Sequence, residues 1–430
     1  MNPVELLSNL IRFDTTNPPG NERGAILWIK DLFERYGLEG RLYGRDEMRP
    51  NLIVRIPGRG NSQPIMVYGH VDVVPVEGQR WSVSPFSGEV RDGFVWGRGA
   101  LDMKGPLAMY ISALMNVFQR GQLSGDVLFV ALSDEEGGGD YGARFLVENH
   151  PEIFEGIRYA IGEFGGFSID VMGRRFYPVM VSEKQISWMR LTFRGQGGHG
   201  SMRHVDTAAY RAARALVALH ERSLPVHISP VVRKMFSDMA SHLPFSASVL
   251  LRGLLNPSLT DFILSRMGEA GRTFYPLFHN IANPTVLQGG SKINVIPSEV
   301  HVDIDGRLLP GMTPEDLIEE LRGVIPVDFH AEVMRYDPYP ADVDWGLFDR
   351  LKESLEGVDT DGKVIPLLLS GVTDGRFFKR LGIQTYGFTP MKLPPDFKFT
   401  RLIHAEDERI PVDALDFGVE VLTRFFSSGW

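Results

Sequence analysis

A chain of 430 residues has room for two domains and a sizeable core. With 43% hydrophobic and 23% charged residues it reads as an ordinary globular protein, and a net charge of −9 gives a nucleic-acid partner no electrostatic footprint. There is no cysteine, so disulfides and thiolate metal sites are excluded, and any metal must rest on His, Asp and Glu. The start, "MNPVELLSNLIRFDTTNPPG", carries Glu5, Arg12 and Asp14 and reads as a mature amphipathic helix, not a signal peptide. No stretch approaches the roughly 20 apolar residues needed to span a bilayer, and a cytoplasmic protein without a membrane partner is expected.

In chain order, "NERGAILWIKDLFERYG" sets Ile26, Ile29, Leu32 and Phe33 on one helical face and stops at Gly37, a C-terminal cap. "NLIVRIPG" and "PIMVYGHVDVV" read as strands. The helix "GPLAMYISALMNVFQRG", the strand "DVLFVALS", the helix "YGARFLVENH" and the strand "RYAIGEF" follow. This alternation predicts a mainly parallel sheet covered on both faces, whose site lies beyond the carboxyl ends of its strands. Near Ile186 the character changes. "ISWMRLTFRG", the helix "DTAAYRAARALVALHERS", a helical region from about Pro230 to Asn280, two strand-like runs and the helix "TPEDLIEELRGVI" predict a separate α+β unit. "PLLLSGVTDGRFFKRLGIQTYGF" then resumes the α/β style. The expected plan is a three-layer α/β domain over 1–185 and 337–430, interrupted by an α+β domain over 186–336.

Potential metal ligands recur where strands end. His70 closes "IMVYGH", with Asp72 two residues on and placed to orient its imidazole. Asp102 precedes a helix, Glu135 and Glu136 follow the next strand, Glu163 ends "RYAIGEF", and His404 lies in a late polar loop. Each alone has a plainer reading: a structural histidine, a helix N-cap, a solvated acidic turn. Their repetition at successive strand ends, beside glycines that let backbone crowd a site, favours a metal centre. Nitrogen and oxygen donors without sulfur suit zinc, cobalt or manganese.

The ordered motifs "GHVDVVP", "GRGALDMKG", "SDEEGGG", Glu163, "GGHGS" and "HAEDERI" resemble the M20 metallopeptidases. That family includes aminoacylases, glutamate carboxypeptidases, succinyl-diaminopimelate desuccinylases, acetylornithine deacetylases and some dipeptidases. The resemblance implies a zinc-hydrolase α/β domain with an inserted lid that carries a homodimer contact. It implies two divalent metal ions, zinc first with cobalt or manganese as alternatives. His70 and Glu163 would bind one, Glu136 and His404 the other, and Asp102 would bridge them, with the peptide after Asp102 often cis. Glu135 would be the general base and Asp72 would orient His70. His199, a lid histidine that in dimeric members reaches the partner's site, would stabilise the oxyanion. Arg307 and Asn294 would bind the substrate carboxylate side, as would Gly371 in "SGVTDGRFF". There Val372 stands where many members have a second glycine, which weakens that assignment. Asp374 and Arg376 read as a structural ion pair.

The function implied is hydrolysis of an amide in a peptide or N-acyl amino acid by water activated between two metals, carboxypeptidase- or deacylase-like. Glu163, where some dipeptidase branches carry Asp, tilts the reading toward that chemistry. A dipeptidase of the same fold and a non-catalytic metal-binding homologue are the alternatives, with a two-metal phosphoesterase behind them.

Overall fold

The structure is a computed structural model that describes residues 1–430. The chain divides into two compact units. The first comprises Met1–Val181, Asp344–Leu367 and Thr373–Trp430; the second comprises Ser182–Val343 and Leu368–Val372. The expected breaks at 186 and 337 therefore fall a few residues inside the second unit. The strands Arg174–Glu183 and Gln185–Arg194 are separated by Lys184 alone, so no turn residue marks the first break in the sequence.

The first unit is built on a mixed sheet. Its order is Gly40–Tyr43, Asn51–Ile56, Gly125–Leu132, Ser62–His70, Tyr159–Gly162, Gln384–Gly387, Arg174–Glu183 and Lys363–Leu369, with Ile169–Val171 paired beside Arg174–Glu183. The middle is parallel: Ser62–His70 pairs with Gly125–Leu132 and Tyr159–Gly162, and the latter pairs with Gln384–Gly387. The flank toward Gly40 is antiparallel, so parallel pairing holds only at the centre. The central strands are buried on both faces over Ile65–His70 and Val127–Leu132, mostly by apolar side chains, as the covered sheet requires. One core cluster joins Met66, Tyr68, Leu128 and Val130 to Leu146 and Phe377 of the covering helices. The helix Lys104–Gln119 is almost wholly buried, which explains why its sequence is apolar nearly all round.

The second unit has a four-stranded antiparallel sheet in the order Ile281–Gly289, Glu299–Leu308, Gln185–Arg194, His330–Asp337. Glu299–Leu308 alternates strictly between half-buried and buried residues, the signature of a sheet with one packed face. That face carries Val302, Ile304, Met189 and Leu191 against the helices Ala208–Glu221 and Pro314–Val324. The helical region resolves into four helices, Pro230–Ser241, Phe245–Gly253, Pro257–Arg266 and Glu269–Phe278. No helix of the protein is long and apolar enough to cross a membrane.

Candidate metal centre

The register of the parallel strands sets the site. His70 is the last residue of its strand and pairs with Leu132, so the turn Ser133–Glu136 begins level with it, and Glu163 directly follows the neighbouring strand Tyr159–Gly162. Asp102 stands two residues before the helix Lys104–Gln119, joined to Met103 by a cis peptide. This turn is closed by Gly105, where a Cβ would lie 2.1 Å from the Ala100 carbonyl oxygen, so no larger residue fits. His404 follows the short helix Phe399–Leu402 and adopts φ of 62°.

These segments bring together two groups of donors that share one residue. His70, Asp102 and Glu163 form the first, and Asp102, Glu136 and His404 the second; within each, the ligand atoms lie within 4.8 Å of one another. Asp102 uses both oxygens: Oδ1 is 3.1 Å from His70 Nε2, and Oδ2 is 3.2 Å from His404 Nε2. Glu163 Oε2 lies 3.3 Å from His70 Nε2, and Glu136 Oε1 lies 3.0 Å from His404 Nε2. Glu163 Oε1 is buried with no hydrogen-bond partner, an arrangement that costs free energy unless a cation meets it. Two nitrogens and three carboxylates converging in this way fit a pair of divalent cations.

The supporting contacts divide the labour among neighbouring acids. His70 Nδ1 lies 2.9 Å from the main-chain oxygen of Asp72 and 3.5 Å from its carboxylate, so the carbonyl is the closer orienting group. The Asp72 carboxylate instead accepts the backbone N–H groups of Glu135 and Glu136, each at 3.1 Å, and the Asn17 amide at 2.9 Å. Asn17 also donates to Asp134 at 3.0 Å. Asp134 in turn accepts from Arg49 at 2.8 Å and from the backbone of Tyr141 at 2.9 Å. Arg49 grips Glu22 at 2.7 Å, and Glu22 is fully buried. On the other side, Glu408 pairs with Arg98 at 2.6 Å and accepts the backbone N–H groups of Leu101 and Asp102. Glu406 and Asp407 accept from Arg80 and Ser82, which ties the His404 loop to the segment after residue 78.

Electrostatics follow from burying so many acids together. Burial alone would lower the His70 pKa, but Asp102, Asp72 and Glu163 outweigh it and hold it well above the usual value. Asp102 and Glu136 raise His404 to about 10. Burial raises Glu136 to about 7, with the Asp102 charge adding to it and His404 opposing it. Burial and the neighbouring charge of Glu163 push Glu135 well above the ordinary carboxylate range. Asp374 is raised to about 8 by burial, and neither of its oxygens has a hydrogen-bond partner. Arg376, expected as the ion-pair partner of Asp374, makes no hydrogen bond to it, but its charge opposes the rise. Arg376 donates to the carbonyls of Thr373 and Gly138, and its Nη1 lies 3.9 Å from Glu135 Oε1.

The other candidates lie in the second unit. His199 and Asn294 meet on a small two-stranded ribbon: His199 pairs with Val295, and Gly200 N–H donates to the Asn294 carbonyl at 2.9 Å. The His199 ring is exposed, with Ser201 Oγ 2.8 Å from Nδ1. Arg307 is held by Asp305 through two contacts, Nε at 2.8 Å and Nη2 at 3.2 Å. Gly371 is half-buried in an open turn.

Residues 66–428 match the model of peptidase family M20/M25/M40. This chain belongs to that family. It is 29% identical over 373 residues to the human N-fatty-acyl-amino acid synthase/hydrolase PM20D1, covering 84% of this chain and 73% of that protein. It is 25% identical over 440 residues to human aminoacylase-1, covering 98% and 93%. Its fold is similar to that of an M20 family metallo-carboxypeptidase, Sso-CP2 from Sulfolobus solfataricus, with a TM-score of 0.69, 18% identity and 99% of each chain covered. It is also similar to that of human carnosine dipeptidase 1, with a TM-score of 0.66, 16% identity, and 99% and 96% covered. The M20 chain is thus a hydrolase, and its donor set is consistent with metal-dependent cleavage of an amide bond.

Proposed function

We propose that this M20 hydrolase cleaves N-acyl amino acids at a pair of divalent cations centred on Asp102. The observation that carries the reading is the sharing of Asp102 between two three-donor groups, with Glu135 outside both yet close enough to feel the charges of Glu163, His70 and Glu136. His70 and Glu163 would hold one cation with Asp102, and Glu136 and His404 the other. Zinc suits donors of this kind, and cobalt or manganese could replace it. The cations, when bound, supply Lewis-acid activation of water and of the scissile carbonyl.

The chain's own residues do the rest. The carbonyl of Asp72 fixes the His70 tautomer, so that Nε2 faces Asp102. Glu135, anchored by its backbone to Asp72, is the base that takes a proton from water and returns it to the departing amine. His199 would donate to the developing oxyanion. Arg307, held in place by Asp305, would take the substrate carboxylate with Asn294 and the Gly371 backbone beside it. Homodimerisation through the second unit is part of the proposal. Its outer strand, Ile281–Gly289, presents a free edge with Val286 and Leu287 exposed.

A dipeptidase reading draws on Asp374, whose two unpartnered oxygens could accept a free substrate amine. One experiment separates the two. The zinc-loaded protein is incubated with dipeptides and with N-acetyl, N-succinyl and longer N-acyl amino acids, with a chelated sample beside it, and products are read by mass spectrometry. Chelator-sensitive release of amino acids from the N-acyl compounds is expected. Turnover of dipeptides alone would favour the second reading, and activity that survives thorough chelation would sink both.

A further inference from the structure

The first unit contains a cavity of about 200 Å³ that the metal centre does not use. Its walls come from two stretches: the one that follows Glu163, with Phe167 and Ile169, and the one that leads to His404, with Leu393, Phe397 and Phe399. Phe167 and Phe399 are stacked, their ring centroids 4.1 Å apart. Phe164, the residue after Glu163, rests on both rings at 5.4 and 6.3 Å and is half-buried. Its φ is 62°, a conformation that bulky residues rarely adopt. Packing fixes this turn. A Cβ on Gly387 would lie 2.1 Å from the Phe164 oxygen and 2.4 Å from the Glu163 oxygen, so the two backbones are as close as glycine allows. Strain held in this way is a feature of ligand sites. Here the strained residue directly follows a metal-ligand candidate in the chain and packs its ring on two aromatic walls of the cavity.

The charges at the cavity decide which half of a substrate it suits. Arg175 is neutralised by Asp359 at 2.6 Å, and Lys398 is exposed. A substrate carboxylate would find no fixed, unpaired cation among the buried walls. An uncharged hydrocarbon would find the five apolar side chains named above.

We propose that this cavity is the acyl subsite: it takes the apolar tail of the acyl half of an N-acyl amino acid whose amide lies at the metal centre. The proposal rests on the N-acyl amino acid reading above. Burial of a tail should raise kcat/KM about fourfold per methylene until the cavity is full. The test compares N-acetyl, N-butanoyl, N-hexanoyl, N-octanoyl and N-succinyl derivatives of one amino acid. It uses kinetics on the metal-loaded protein and calorimetric binding to the metal-free protein. Ile169→Trp, which fills the cavity, and Phe397→Ala, which opens it, are run alongside, with melting temperatures confirming that each is folded. A rise with chain length in both readouts, and an octanoyl-to-acetyl ratio that falls toward one in Ile169→Trp, are expected. A flat series with good N-acetyl turnover would overturn the subsite and leave the hydrolase reading standing. So would equal losses on all substrates in Ile169→Trp, or a preference for N-succinyl, which would point to Lys398. If no N-acyl compound is turned over, the functional reading fails, and tail-dependent binding still decides whether the cavity takes an acyl chain.

Discussion

Arg49→Met removes the guanidinium that Glu22 meets with both oxygens and that Asp134 meets at 2.8 Å. Glu22 is fully buried and Asp134 nearly so, and the substitution leaves both without a cation. Breaking a buried pair from one side costs about 3–5 kcal/mol, and we place this variant near the middle of that range, at about 4 kcal/mol. The pH dependence carries a sign. Burial already raises the Glu22 pKa, and the Arg49 hydrogen bond is the main influence holding it down, so without Arg49 it climbs further. An acid whose folded pKa exceeds its unfolded value carries its penalty at neutral pH and sheds it as pH falls through the folded value. The gap between variant and wild type should therefore narrow on acidification from pH 7.5 to 5.5, measured by denaturant unfolding of the metal-free protein. Catalysis should suffer in kcat more than in KM, because Asp134 shares Asn17 with Asp72, and Asp72 holds the backbone of Glu135 and Glu136. A stability loss below about 1 kcal/mol, or a gap that widens with acid, would refute the electrostatic account. A variant with wild-type kcat would show that this network does not position the glutamates.

Glu135→Gln should keep the fold and both cations, by elemental analysis, while kcat falls about 10²- to 10⁴-fold; normal turnover would remove Glu135 as the base. His404→Ala strips the second donor group of its nitrogen and should lower the bound cations from two to one. Saturating zinc at about 100 times its Kd adds about 2.7 kcal/mol per ion, so the variant should also lose part of the zinc-induced rise in melting temperature. Lys184 is buried, donates to the His279 carbonyl at 2.6 Å and is lowered to about 7 by burial. The unfolded chain binds that proton at pH values where the folded one does not, so stability should fall as pH drops from 10 toward 7. Lys184→Met should flatten that slope in thermal scans, and an unchanged slope would reject the assignment. Leu287→Arg at the free edge should convert a dimer to monomers in sedimentation, and a monomeric wild type would end the dimer proposal.

The features legible in the sequence were those whose signal is local. His70, Glu136 and Glu163 could be read because each closes or follows an apolar strand beside glycines, and the alternation of Glu299–Leu308 could be read because one face of that sheet is packed. Glu22, Arg49 and Asn17 could not be read in that way. Arg49 reaches Glu22 across 27 positions and Asp134 across 85, and Asn17 reaches Asp134 across 117, contacts that only the folded chain creates. Pairing direction at the sheet flank was hidden for a related reason. Asn51–Ile56 is mostly apolar and buried like the parallel strands at the centre of the sheet, and nothing in its pattern records that it runs against Gly125–Leu132. The stretch "TVLQGGSKINVIP" is strand-like in pattern throughout, but the structure divides it between Ile281–Gly289 and Val295–Ile296, and the turn between them is what places Asn294 beside His199.

The clustering of Asp134, Glu135 and Glu136 at a strand end resolves once each acid is followed to its partner. Asp134 spends its charge on Arg49 and Asn17, and Asp72 spends its own on Asn17 and two backbone N–H groups, so neither is left to face a cation. Asp102, Glu136 and Glu163 remain as the carboxylates of the two donor groups. Against two divalent cations the sum is +4 − 3 = +1, with both histidines neutral as metal ligation requires. Glu135, outside both groups, is the acid that this residual charge would stabilise in ionised form. Its raised pKa without metal and its proposed role as a base would then be two states of one balance: on the two-cation proposal, loading the centre would lower the Glu135 pKa toward the range where it can take and return a proton. The same balance would explain why the proposed base is a neighbour of a proposed ligand and not a ligand itself. A carboxylate bound directly to the cations would have given up the basicity that the reaction needs.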